Sequence, residues 1–275
     1  MSNSATDLAL AALALDAAIR GRGPLVHHIT NLVVMNFTAN VTLGFGAQPV
    51  MAHAPEELEQ MTSFAGTLIL NIGTLERAWI EAMLVAGRAA ARRGTPIVLD
   101  PVGAGATQLR TDTARRLLGE LPIAVLRGNA GEILAVAGET GKTRGVDSLA
   151  GGHEAADAAA GLARELKTVV AITGAEDRVT DGTVTYLVRN GHPMLCRVTG
   201  TGCAATTAIG CFVAVAPQGE RCFATAAALA IYGRAAELAA SLSAGPGSFV
   251  PALLDAIHRV PQDVAPATLR LERQG

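Results

Sequence analysis

Along the chain, short aliphatic runs alternate with longer segments in which apolar residues recur every three or four positions. The runs at 68–72, 96–99, 124–127 and 169–173 are too short for helices and are dominated by Leu, Ile, Val and Ala, the pattern of parallel strands buried on both faces. Between and after them, the spacing predicts helices near 75–92, 111–118, 130–137, 153–166, 203–216 and 223–242, with a further amphipathic helix at the N-terminus. Residues 179–188 read as a hairpin turning at Asp181-Gly182, a dipeptide favoured in two-residue type I′ turns. Such alternation is the signature of βαβ units, and it predicts an α/β fold: a central, mostly parallel sheet with helices on both faces. No internal repeat and no Pro/Gly/Ser-rich linker interrupts the pattern, so residues 1–275 are expected to form one domain.

Composition narrows the function classes. Hydrophobic residues make up 50% of the chain and charged residues only 17%, which is far from a disordered composition. With 22 Lys and Arg against 24 Asp and Glu the formal net charge is −2, so the basic footprint of a nucleic-acid binder is missing. No apolar run reaches a membrane-spanning length; the one at 204–216 is broken by Thr206 and Thr207. The first helix carries Asp7 and no basic residue ahead of it, unlike a signal peptide, so a cytoplasmic protein with no membrane partner is expected. Cys196, Cys203, Cys211 and Cys222 have six, seven and ten residues between them, matching neither a zinc or redox pair nor a disulfide framework, and are expected as free thiols.

Candidate chemistry gathers where the predicted strands end. Asn71-Ile-Gly73-Thr74, Asp100-Pro-Val-Gly103, Arg127-Gly128-Asn129 and Thr173-Gly174 each follow a strand, and the carboxyl edge of an open parallel sheet is where ligands bind. Two familiar phosphate motifs fail: Gly138 to Thr143 ends like a P-loop but has Val136 where its first glycine belongs, and the segment from Asp100 has Gln108 where a dinucleotide fingerprint needs glycine. The strongest local feature is Val198-Thr-Gly-Thr-Gly-Cys203, a glycine turn opening an almost wholly apolar helix. Free N–H groups at Gly200 to Gly202 and the helix dipole would bind a phosphate and stabilise charge developing on a transferred phosphoryl group. A thiol at the first helical position is expected to have a lowered pKa, letting Cys203 take a proton from a substrate hydroxyl. Asp100 and Glu132 follow neighbouring strands, as carboxylates for Mg²⁺ would, although capping or salt-bridge roles are equally open for each. Adjacent His27 and His28 make a poor metal pair, His27 is expected at the pocket entrance, and Trp79 is expected in the core or a subunit interface.

These segments, with those at 29–40, 48–51, 70–74, 99–107, 145–148, 171–174 and 245–249, make the whole chain resemble the hydroxyethylthiazole kinase family of the ribokinase-like superfamily. The resemblance implies transfer of phosphate from ATP, with Mg²⁺, to the hydroxyl of 4-methyl-5-(2-hydroxyethyl)thiazole in thiamine biosynthesis or salvage. It implies that Asn31, Val33, Met51 and Gly200 lie at the thiazole, that Arg127, Asn129 and Thr173 lie at ATP, and that Asp100 and Glu132 lie at the metal. Cys203 takes the place of a catalytic aspartate found elsewhere in the superfamily, acting with Gly200 and Gly202. A homotrimer with active sites between subunits is also implied. A hydroxymethylpyrimidine kinase and a nucleotide-dependent NAD(P)H-hydrate dehydratase are the alternatives, and the cysteine at position 203 speaks against both.

Overall fold

The computed structural model describes residues 4–138 and 149–274, without the side chains of residues 149–152. Its elements run α1 (Ala5–Arg22), β1 (Leu25–Ile29), α2 (Met35–Gly44), β2 (Gln48–Val50), α3 (Leu58–Phe64), β3 (Thr67–Asn71), α4 (Arg77–Arg93), β4 (Ile97–Asp100), α5 (Gln108–Glu120), β5 (Ile123–Asn129) and α6 (Ala130–Ala137). They continue with α7 (Leu149–Leu166), β6 (Val169–Thr173), β7 (Asp177–Thr180), β8 (Thr185–Val188), α8 (Thr201–Val213), α9 (Arg221–Leu242), α10 (Pro246–His258), α11 (Val260–Asp263) and β9 (Leu271–Gln274). One sheet results, in the order β2-β1-β3-β4-β5-β6-β7-β8-β9. Strands β2 through β6 pair in parallel, and β7, β8 and β9 add an antiparallel edge.

Successive side chains of a strand point to opposite faces, and the central strands use both. Ile69, Val98, Val125 and Ala171 enter a core with α1, α2, α8, α9 and α10, while Leu68, Leu70, Leu99, Leu126 and Ile172 enter a second core with α3 to α7. This double burial is why the aliphatic runs show no polar alternation.

The predicted strands and helices are all present, with ends shifted by up to about four residues. The hairpin is present too, but its turn differs from the two-residue type expected. Thr180 pairs with Thr185, leaving a four-residue loop in which Asp181 Oδ1 accepts the amides of Thr183 and Val184, both at 2.8 Å. Strand β1 lacked a clear sequence signal because two histidines occupy the middle of it. Both rings are buried: His27 pairs with Thr62 Oγ1 and the Ala52 carbonyl on one face, and His28 with Thr42 on the other. His27 therefore does not line a pocket entrance, and burial lowers the pKa of both rings, that of His28 to about 3. Among the described residues no cluster of three or more His, Cys, Asp or Glu is arranged to hold a metal, and no helix is long and apolar enough to cross a membrane.

Candidate active site

Sheet order brings the strand-end clusters together. Asn31 follows β1, Asn71 and Asp100 end β3 and β4 as register partners, and Arg127 and Thr173 stand on β5 and β6. Above this row sits the N-terminus of α8, opened by Gly200 in the left-handed conformation at φ +84°. A cavity of about 360 Å³ lies between them. Asn31, Val33, Asp100, Arg127, Asn129, Glu132, Gly200, Gly202 and Cys203 line it, as do Val34, Gly73, Val102 and Thr199. Of the remaining expected site residues, Thr173 accepts a hydrogen bond from the Arg127 guanidinium and so belongs to the same cluster. Met51, just beyond β2, does not line the cavity.

The floor is a buried carboxylate. Asp100 is 1% exposed; its Oδ2 accepts from Asn71 Nδ2 at 2.9 Å and Thr206 Oγ1 at 2.8 Å, with Arg127 Nη1 at 3.7 Å. Its Oδ1 has no hydrogen-bond partner. Burial pushes its pKa up to about 6, against the pull of Arg127. A buried, partnerless carboxylate oxygen at a cavity wall is costly unless a cation or water meets it, so it fits one ligand position of a hard, oxygen-seeking ion such as Mg²⁺.

Glu132 is differently placed. Its Oε2 accepts the Asn129 amide while Asn129 Oδ1 accepts the Glu132 amide, a reciprocal cap on α6, and its Oε1 accepts the Gly103 amide at 2.8 Å. Of the roles the sequence left open, capping is the one these contacts fill. The same carboxylate ties the loop after β4 to the start of α6 and still borders the cavity.

Cys203 requires a correction. Helix α8 begins at Thr201, so the thiol stands at the third helical position rather than the first. Its pKa is raised to about 11, chiefly by burial and secondarily by the nearby Asp100 charge, which outweigh hydrogen bonds from Asn71 and Asn31. It is therefore a thiol at neutral pH. Alkylation by iodoacetamide at pH 7.5, read peptide by peptide, is expected to spare Cys203 while modifying exposed Cys196, with Cys203 labelling rising steeply toward pH 11.

Three residues that sequence reasoning passed over help to build the site. Thr206 hydrogen-bonds Asp100, Asn71 links Asp100 to the thiol, and the Arg110 guanidinium donates to the carbonyls of Ile72, Gly73 and Val102, tying together the loops after β3 and β4. Asn71 stood in a quoted motif, but its pairing with Asp100 is a register property that no local pattern reveals. Trp79 is half-buried, donates to the Thr30 carbonyl and packs against His53 with ring centroids 4.3 Å apart. Lys142 and Thr143 of the rejected P-loop, and the segment 145–148, lie outside the described residues.

The sheet order and the two helical layers, with the glycine turn over the strand ends, define a ribokinase-like fold. The fold is shared with a ribokinase-like superfamily protein of Enterococcus faecalis, at a TM-score of 0.62 and 11% identity over 89% of this chain and 88% of that one. Residues 17–263 match the hydroxyethylthiazole kinase family. The chain is similar to a hydroxyethylthiazole kinase of Desulfosudis oleivorans, 55% identical over 261 residues, 94% of each chain. It is also similar to the structure of a hydroxyethylthiazole kinase from Pyrococcus horikoshii, with a TM-score of 0.89 and 44% identity, covering 97% of this chain and 100% of that one. The chain belongs to the hydroxyethylthiazole kinase family, and its activity is that of a phosphotransferase in thiamine biosynthesis.

Proposed function

We propose that this cavity transfers the terminal phosphoryl group of ATP to the hydroxyl of 4-methyl-5-(2-hydroxyethyl)thiazole, within one domain spanning residues 1–275, in the cytoplasm. The observation that carries the reading is that one cavity is lined by two anion-attracting elements, the positive end of α8 at Gly200 and Gly202 and the Arg127 guanidinium, together with the Asp100 carboxylate. The thiazole alcohol lies at Asn31, Val33 and Gly200, and the nucleotide at Arg127, Asn129 and Thr173.

Asp100 would hold Mg²⁺ through its partnerless Oδ1, with Glu132 as the second carboxylate at the cavity. When bound, the ion would neutralise phosphate charge. Phosphoryl transfer of this kind passes through a loose transition state, so positioning and charge neutralisation dominate over proton removal. The amides at the start of α8 and the Arg127 guanidinium supply both. Gly202 also leaves room for that guanidinium, since a Cβ there would lie 3.0 Å from Arg127 Nη1.

Cys203, protonated at neutral pH, assists rather than drives the step. Cys203→Ala should lose less than about 100-fold in kcat, below the range of a full-strength general base, and Cys203→Asp should fold and turn over. Loss of all activity in Cys203→Ala with both substrates still binding would reverse this ranking.

The homotrimer is proposed as well. Leu32 and Val33 are 66% and 65% exposed beside the cavity, while Met51 stands away from it, as residues completed by a neighbouring subunit would. Sedimentation should give a trimer mass, with activity falling on dilution; a monomer with concentration-independent activity would defeat the proposal. The reaction itself is tested by mass spectrometry after incubation with Mg-ATP and a mixture of hydroxyethylthiazole and hydroxymethylpyrimidine. Phosphorylated thiazole with ADP is the expected product, and a phosphorylated pyrimidine would overturn the pocket assignment.

A further inference from the structure

The most densely connected side chain behind the cavity is one that does not line it. Asn71 is 1% exposed at the end of β3, between Asp100 at the end of β4 and Asn31, which follows β1. Its Oδ1 accepts from Asn31 Nδ2 at 2.7 Å and from the Gly73 amide at 3.0 Å. Its Nδ2 donates to Asp100 Oδ2 at 2.9 Å and to Cys203 Sγ at 3.2 Å. A primary amide carries two donors and two acceptor lone pairs, and each of the four is used on a residue that borders the cavity.

Each contact has a consequence. Asp100 Oδ2 is held by Asn71 and Thr206, which leaves Oδ1 as the oxygen available to the cavity. Asn31 Nδ2 also approaches Cys203 Sγ, at 3.6 Å, so the sulfur receives N–H groups from two amides. A sulfur accepting from both directs its own S–H away from them. Alanine at this position removes all four hydrogen bonds at once, although Asp100 keeps Thr206 and the sulfur keeps Asn31, so the function of the group resides in the amide itself.

We propose that Asn71 is a positioning residue for phosphoryl transfer, its amide setting the relative placement of the Cys203 sulfur and the Asp100 carboxylate. The proposal deepens the site assignment above and rests on it. Groups that orient the reacting set are typically worth 10- to 100-fold in activity.

The test is a kinetic double-mutant cycle. Asn71→Ala should lower kcat by on the order of 10- to 100-fold, with the KM values for ATP and the thiazole alcohol little changed. In the Cys203→Ala background the same substitution should cost several-fold less, because the part of its effect that passes through the sulfur is already gone. A general loosening of the fold would instead shift kcat and KM together and give the same factor in both backgrounds. Should Asn71→Ala fail to fold, Asn71→Leu replaces it, filling the space of the amide with neither donor nor acceptor, with the same loss expected. Equal factors in the two backgrounds, or a folded Asn71→Leu enzyme with the parent's kcat, would overturn the proposal alone. If Cys203→Ala and Asp100→Asn each retained the parent's kcat, the site assignment would fall and the proposal with it.

Discussion

Asp100→Asn should abolish most turnover, by about 10²- to 10³-fold in kcat, the scale of removing one preorganised electrostatic group, while leaving the protein more stable at neutral pH. Both effects come from the same buried charge. Asparagine matches aspartate in shape, and its Oδ1 can accept from Asn71 and Thr206 as Asp100 Oδ2 does. Its Nδ2 then occupies the position of the partnerless oxygen, where no negative charge is left to meet a cation. The carboxyl's pKa is raised from 3.8 to about 6 on folding, so the folded state binds more protons than the unfolded chain between those values. Asp100 therefore destabilises the protein progressively as pH rises from about 4 to 6, reaching roughly 3 kcal/mol at neutral pH by 1.36 kcal/mol per pKa unit. Thermal unfolding should show Asp100→Asn melting several degrees above the parent at pH 7.5, with the gap closing near pH 4. The parent's kcat/KM should fall below about pH 6 as the carboxylate is protonated, and the variant should lack that limb. A variant melting below the parent at pH 7.5, or keeping its kcat, would refute this account.

Gly200→Ala is expected to be the second most damaging single change. The residue adopts φ +84°, which L side chains rarely adopt, and a Cβ there would stand 2.7 Å from Val34 Cγ1 and 3.3 Å from Phe37 Cδ1. The turn must move, and with it the free amides that face the cavity. A displacement of about 1 Å in such a group costs on the order of 10²-fold in rate, and the strain costs about 1–3 kcal/mol of stability. Gly161→Ala makes the matched control: it lies inside α7 with nothing within 4 Å of the added carbon, and helix propensity alone should make it neutral to slightly stabilising. Circular dichroism melts and steady-state kinetics on the pair separate the two. Near-parent activity in Gly200→Ala would show that the turn does not bear on catalysis.

The local patterns that announced this fold are the ones that tertiary packing reinforces. β6 and α6 occupy the residues predicted, because their aliphatic runs are bounded by unambiguous partners: a strand end at Thr173, and Asn129 and Gly138 at the ends of α6. β1 was missed because buried histidines look polar in sequence although both rings are hydrogen-bonded in the core. The hairpin was legible but its turn was not, because the Asp181 side chain, rather than a type I′ backbone, organises the loop. At the site, the residue types were legible and their relations were not. Glu132 reads equally well as a metal carboxylate or a cap, and only the placement of the Gly103 and Asn129 amides reveals that it caps α6 while still bordering the cavity. Cys203 reads as an activated thiol from its place near a helix start, yet its burial beside Asp100 raises its pKa instead.

By itself, then, the sequence determined the α/β class, the strand-end placement of the chemistry, the glycine turn before α8 and the family, since each is written in short-range periodicity or in motif order. The tertiary structure alone decided which strand ends became neighbours, which carboxylate oxygen was left without a partner, and the protonation of the thiol. Those properties depend on register and on distance from solvent, which residues far apart in the chain set jointly: Asn31, Asn71, Asp100 and Cys203 meet only when the sheet has formed and α8 has closed over it.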